Sequence, residues 1–368
     1  MTKAKDKTEI RSTGIDSNAS EIDEALKMAD AIAKVQGNIF VKELLRSKKK
    51  DDSTIRIGSS KDEVLNNLQA AIRQGKISHA DISDWVNEVE GWGKQHVYLY
   101  TLNKKLAADP IWKSEDSLFN ALKGKKLDET WNQPPSLSFP EKLKLASISF
   151  LDGKFECVWH RGVTLRQRDK DKDKPNEVID GDVYDFQAYR HTPTRSVMRF
   201  ELDPGKKEAA LFVQMPMGPE HEEARECSDE LLDKLFDGAG LVEVDISKAI
   251  KTLDLAEMDG DGAGKSFIQA QNTKFSSGGA NVEFSAGPEI RGGWPAVTAV
   301  RQVRRALKND KFEGNSGKFI IGLKAIDGLE REVTMSLTGH GQRIYLYAQM
   351  TADEVAETLA VIRNYAAT

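Results

Sequence analysis

Residues 59 to 100 read SSKDEVLNNLQAAIRQGKISHADISDWVNEVEGWGKQHVYLY, and no other stretch limits the fold of this chain as tightly. Ser60 and Glu63 stand at capping-box spacing, Val64, Leu65, Leu68 and Ile72 recur on one helical face, and Gly75 supplies a stop. A second helix is expected from Ser78 and Asp81, turning Ile82, Trp85, Val86 and Val89 inward. Gly91 and Gly93 then flank Trp92. Residues 96 to 106 fit two patterns: VYLY has strand propensity, yet Trp92, Leu99, Leu102 and Leu106 can share one helical face. That shared face favours a helix.

Around this stretch the chain divides by texture. Residues 1–19 are polar and without apolar period, which predicts a flexible N-terminus. Ser20 is placed to cap a helix burying Ile22, Ala25, Leu26, Ala29, Ile32 and Ala33. A short helix from Ile39 follows, and the run Lys48, Lys49, Lys50 reads as the loop beyond it. Residues 20–125 are therefore expected to form an all-helical module. Residues 126–140 carry three prolines and few apolar anchors, the mark of a linker.

From residue 141 the period changes to two. Ile148 and Phe150 alternate, Asp152-Gly153 is a hairpin turn, and Phe155, Cys157 and Trp159 alternate on the return. Residues 166 to 182 are densely charged and read as a loop, with strands resuming near 183–189, 196–202 and 209–215. Residues 141–218 are thus predicted to be an antiparallel sheet domain. Residues 219–260 read as an acidic helical insertion burying Leu231, Leu232 and Leu235. Residues 261–368 read as a C-terminal α+β module with a helix over 296–308 and a closing helix capped by Thr351 and Glu354. The expected class is α+β, with helices first, a central antiparallel sheet and an α+β end.

Charge and cysteine content exclude some classes of function. The net charge is −5, and residues 219–260 account for the acid surplus with 4 basic and 13 acidic side chains. Elsewhere cations are in slight excess, so local phosphate binding is compatible with the overall charge. Two cysteines give no disulfide framework, and no signal-peptide core or membrane-length apolar run is present, so the expected location is the cytoplasm. The run DGDGAGKS, residues 259 to 266, departs from a phosphate-binding loop at its first position and lies in the wrong element context. Cys157 and His160 fall on opposite faces of a strand, which makes them poor co-ligands. These observations predict no enzyme, no metal and no cofactor.

The cations are the remaining candidates. On the helix over 296–308, Val297, Val300, Val303 and Leu307 are expected to face inward, leaving Arg301, Arg304, Arg305 and Lys308 outward. Arginine suits bidentate contact with phosphate or carboxylate. A second group is Lys48, Lys49, Lys50, Arg56 and Lys61, ahead of a helix N-terminus whose amides can also meet phosphate. Arg166 and Arg168 end a strand. Together these predict a binding protein for nucleic acid, duplex DNA in particular, or for an acidic protein surface. The alternative is a protein-protein adaptor in a larger assembly, with residues 219–260 meeting a basic partner. No membrane role is expected.

With SKDEVLNNLQAAIRQGKISHADISDWVNEVE as late helices and LASISFLDGKFECVWHRG opening a sheet, the order of elements resembles the centromere protein N family of kinetochore subunits. That resemblance implies a death-fold-like helical domain joined to a curved antiparallel sheet, acting as a DNA-binding adaptor without catalysis.

Overall fold

The computed structural model describes residues 13–36, 38–133, 138–214, 221–235, 240–259, 268–277, 279–285, 298–309, 312–321 and 332–367. It has the expected α+β class. The chain divides into two compact units. Unit 1 comprises Met1–Glu90, Pro134–Lys142 and Arg161–Arg195; unit 2 comprises Gly91–Gln133, Leu143–His160 and Ser196–Thr368.

Unit 1 opens with α1 (Thr13–Gln36), α2 (Asn38–Asp51), α3 (Lys61–Arg73) and α4 (His79–Val89). Helix α1 starts ahead of Ser20, so that residue lies inside the helix and not at its cap. Ala25, Met28, Ala29, Ile32 and Ala33 of α1 are buried with Phe40, Val41, Leu44 and Leu45 of α2, Val64, Leu68 and Ile72 of α3 and Ile82, Trp85 and Val86 of α4. Both predicted caps form. Ser60 accepts the Glu63 amide, and Ser78 and Asp81 make a full capping box.

Residues 96 to 106 are not a helix. They contain β1 (Gln95–Leu102), followed by the single turn α5 (Lys104–Ala107). Six consecutive residues of β1 are buried, so the strand shows no alternation. A strand covered on both faces presents a continuous apolar run, which period alone does not separate from a buried helix. Helix α6 (Glu115–Gly124) then leads through a short 3-10 turn, Asp128–Thr130, to Trp131, whose ring lies tilted against Phe119 at 5.9 Å and whose backbone bridges to Ile148.

The strands β2 (Lys144–Leu151) and β3 (Lys154–Arg168) form the predicted hairpin, with Asp152 and Gly153 both at positive φ. The charged segment after it is not a plain loop. It holds β4 (Lys174–Ile179) and β5 (Asp182–Phe186), paired only with each other, before β6 (Tyr189–Asp203) and β7 (Glu208–Gln214). Helix α7 (His221–Leu235), β8 (Leu241–Glu243) and α8 (Ile246–Asp259) follow. The rest is β9 (Ile268–Ser277), β10 (Ala280–Ser285), α9 (Thr298–Asn309), β11 (Glu313–Ile321), β12 (Val333–Thr338), β13 (Arg343–Leu346) and α10 (Ala352–Ala367).

One sheet gathers the strands in the order β10-β9-β11-β12-β13-β1-β7-β6-β3-β2, with β8 also pairing β1. On one face, Tyr98, Tyr100, Phe155, Cys157, Phe200, Leu211 and the α6 and α7 leucines form a single core. The acidic segment is therefore built into this core: Leu231, Leu232 and Leu235 of α7 are all part of it. Over the C-terminal strands, α8 packs on β9, β11 and β12, and α10 packs on α8. That close seating needs glycine. A Cβ on Gly339 would lie 2.2 Å from the Gly314 carbonyl oxygen and 2.2 Å from Ser247 Oγ, and one on Gly314 would lie 2.5 Å from the Ser247 carbonyl oxygen.

Gly339→Ala is accordingly expected to lose about 1–3 kcal/mol of stability through overpacking, read as a lowered urea midpoint. Gly153→Ala, whose Cβ would meet nothing within 4 Å, separates the two effects: it tests positive φ alone.

Candidate functional site

The cations of unit 1 arise from how α2 ends. Lys48, Lys49 and Lys50 occupy its last turn, so the triplet is helical and not the loop its composition suggested. Cations at a helix C-terminus oppose the partial negative charge of the exposed carbonyls, which favours one more turn. Lys48 is half-buried and donates to Asp81 at 2.5 Å. Burial works against the Asp81 charge, but hydrogen bonds from Lys48 and Ser78 hold its carboxyl below the usual range. Lys48 also lines a 330 Å³ cavity with Glu43, Asp81, Asp84 and Glu88. A phosphate would be repelled there.

Lys49 and Lys50 are exposed, as are Arg46, Arg56 and Lys61. None of these five forms an ion pair among the described residues. Arg56 does lie close enough to Glu63 to lower its pKa, after the larger effect of hydrogen bonds from Ser59. The N-terminus of α3 is already served: Glu63 accepts from the Ser59 amide at 2.7 Å, and Ser60 takes the Glu63 amide at 3.2 Å. The expectation that this helix end would offer free amides is thus corrected, because its own carboxylate and hydroxyl occupy it.

Arg166 and Arg168 are committed locally. The Arg166 guanidinium lies 3.7 Å from the Tyr189 ring centre, and Arg168 forms a forked pair with Asp173 while donating to the Ala188 carbonyl at 3.0 Å. Hydrogen bonds from Arg168 and the Ala188 amide hold the Asp173 carboxyl below its ordinary range. The pair fixes chain ends in space and leaves Arg168 a poor phosphate ligand.

On α9 the expectation fails at two adjacent positions, while Val300 and Leu307 are half-buried and Arg305 is exposed. Arg304 is 1% exposed, whereas Val303 is 50% exposed. Arg304 donates through Nε and Nη2 to Asp254 and through Nη2 to Glu257 at 2.7 Å. Asp254 and Glu257 sit three apart on one face of α8, which lets a single guanidinium meet both. Burial acts to lower the Arg304 pKa, but Asp254 and Glu257 keep it above the free value. Arg304 is a structural ion and not part of an outer basic face. Arg305 is exposed. The side chains of Arg301 and Lys308 lie outside the described residues, as do residues 260–267 of the glycine-rich run.

Sequence reasoning missed three arginines that the fold uses. Arg195 pairs with Glu90 inside unit 1. Arg199 lies 3.4 Å from the Trp92 ring centre and 4.8 Å from that of Phe212. Arg363 donates to the Tyr100 and Ala209 carbonyls at 2.9 and 2.6 Å. Arg195 and Arg363 depend on partners remote in sequence, and the ring contacts of Arg199 do too, although it also pairs with the nearby Glu201 at 3.1 Å.

A cleft of 170 Å³ in unit 2 is lined by Trp92, Phe212 and α10 together with Lys154, Glu201, Asp203, Lys206, Glu208 and Arg363, and among the described residues by no His, Cys or Ser. Burial and the nearby Glu156 raise the Cys157 thiol well above its usual pKa, which suppresses the reactive thiolate. No group of His, Cys, Asp and Glu arranged to hold a metal occurs among the described residues. No described helix is long and apolar enough to cross a membrane. Comparison of the chain with protein-family models and with curated proteins finds no match.

Arg304→Met should destabilise unit 2 by about 3–5 kcal/mol, because it leaves two buried carboxylates without their cation. Replacing Asp254 and Glu257 by Leu in the same chain should recover most of that loss. Chemical denaturation measures both; a cost below about 1 kcal/mol for the single change contradicts the assignment.

Proposed function

We propose that this chain is a non-catalytic binding protein that contacts the backbone of duplex DNA through unit 1. The observation that carries the reading is the set Arg46, Lys49, Lys50, Arg56 and Lys61, exposed around the α2 end and the loop to α3 with no carboxylate in ion-pair contact. Lysine and arginine held this way neutralise phosphates and release condensed counterions. Contacts of that kind position a duplex without reading its sequence. Lys48 and Arg168 drop out of the contact set because each already has a carboxylate. Arg304 drops out because it is interior.

A cytoplasmic setting belongs to the same reading; it is supported by Cys157 and Cys227 both being free thiols.

The test is duplex binding by fluorescence anisotropy at about 50 to 200 mM salt, for wild type and Lys49→Ala/Lys50→Ala/Arg56→Ala. Wild type should bind with an affinity that falls steeply with salt. The triple variant should melt like wild type and lose about 3 in the log-log salt slope, near 0.9 per phosphate contact. Equal affinity of the two chains, or no binding by wild type at the lowest salt, overturns the proposal.

A further inference from the structure

The β4-β5 ribbon is the most exposed regular structure among the described residues. Every residue of β4 and every residue of β5 is exposed. Asp180 and Gly181, at φ 53° and 93°, make the tight turn. Val178 is 72% exposed, Val183 68%, Tyr184 46% and Ile179 41%, with Phe186 also exposed. The register pairs Val178 with Val183, Ile179 with Asp182 and Glu177 with Tyr184. Directly opposed residues share a face, so one face of the ribbon carries Ile179, Tyr184 and Phe186, with Glu177 and Asp182 toward the tip and Lys174 across from Phe186 at the base, beyond a bulge. The other carries the Val178-Val183 pair.

A two-stranded ribbon has no core of its own and is marginal in water. Contiguous exposed apolar side chains on such an element mark an interaction surface. The ribbon is also held ready. At its base Arg168 pairs with Asp173, Asp173 accepts the Ala188 amide at 2.8 Å, Arg190 pairs with Asp169 at 3.2 Å and Arg166 stacks on Tyr189. These contacts order the arm before any partner arrives, which lowers the entropy lost on binding.

Charge then selects the partner. Between residues 175 and 187 the chain carries Glu177, Asp180, Asp182 and Asp185 and no Lys or Arg. None of the four forms an ion pair among the described residues. At the base Asp169 and Asp173 are each paired with an arginine and Lys170, Lys172 and Lys174 stand beside them, so the negative charge is confined to the tip. Nucleic acid and anionic membrane are repelled by such a tip. A positively charged polypeptide with apolar side chains between its cations satisfies both the charge and the apolar face.

We infer that the β4-β5 ribbon is a docking arm for a basic, apolar-alternating protein segment, seated on Ile179, Tyr184 and Phe186 with its cations against Glu177 and Asp182. This surface is separate from the phosphate-contact residues, so either proposal stands without the other. Together they describe a chain that bridges a duplex and a basic protein.

The test uses the full chain and a fluorescent peptide of alternating Val and Lys, with an alternating Val and Glu peptide and oligolysine as comparisons. The Val-Lys peptide should bind best, and more weakly as salt rises. Tyr184→Ser/Phe186→Ser and Glu177→Lys/Asp182→Lys should each weaken it at least tenfold while the melting temperature holds. The charge-reversal variant leaves the apolar face intact, so its loss cannot be ascribed to unfolding of that face. Undiminished binding by both variants, preference for the Val-Glu peptide, or no binding to Val-Lys overturns the inference. Oligolysine binding as tight as Val-Lys does so too, since the apolar face would then contribute nothing. Light scattering adds one more outcome: a dimer of the wild-type chain, lost in Tyr184→Ser/Phe186→Ser, would make a second copy the occupant and overturn the assignment of a basic partner.

Discussion

The backbone ladder of β1 is the constraint on which unit 2 depends. Its residues Gln95 to Thr101 pair along β7 from Gln214 to Glu208, while Gln95 to Tyr98 pair with β13 and Tyr100 to Leu102 with β8. Strands from the C-terminal end of the chain lie on one side of it and the β7-β6-β3-β2 group on the other. Without β1 the sheet would part into two, each with a bare edge of unpaired amides and carbonyls. Its partners are also far away in sequence, more than a hundred residues in each pairing. Closing such loops gains little until most strands are placed, which makes the topology one of late, cooperative assembly.

Around that ladder the arginines divide into two kinds. Arg304, Arg195 and Arg363 are spent internally, on Asp254 with Glu257, on Glu90, and on two backbone carbonyls. Interior cations of this sort are dear to remove and give no outward chemistry. Arg46, Lys49, Lys50, Arg56 and Lys61 instead face solvent on unit 1. The acidic ribbon tip repeats the logic with the opposite sign: paired charges hold the base, unpaired ones remain at the end.

Local physics made much of this legible. The Ser60 cap, the capping box at Ser78, the Asp152-Gly153 turn and the Thr351-Glu354 cap all involve residues within a few positions of one another, and all form. The α+β class follows from the change of period near residue 141. What failed required distant partners. β1 lost its alternation because both faces are covered. Arg304 looked like a surface residue because Asp254, its partner, lies fifty positions away. The β4-β5 ribbon is a different kind of miss: Val178-Ile179-Asp180-Gly181-Asp182-Val183 is a hairpin signal, hidden by the dense charge around it.

Native-state hydrogen exchange on the full chain tests the central claim, that β1 is the strand on which unit 2 closes. The ladder predicts that the amides of residues 97 to 99 exchange only through global unfolding and so rank among the slowest in the protein, far behind those of β4 and β5. Exchange of the β1 amides at the rate of the exposed β4-β5 ribbon would contradict the account.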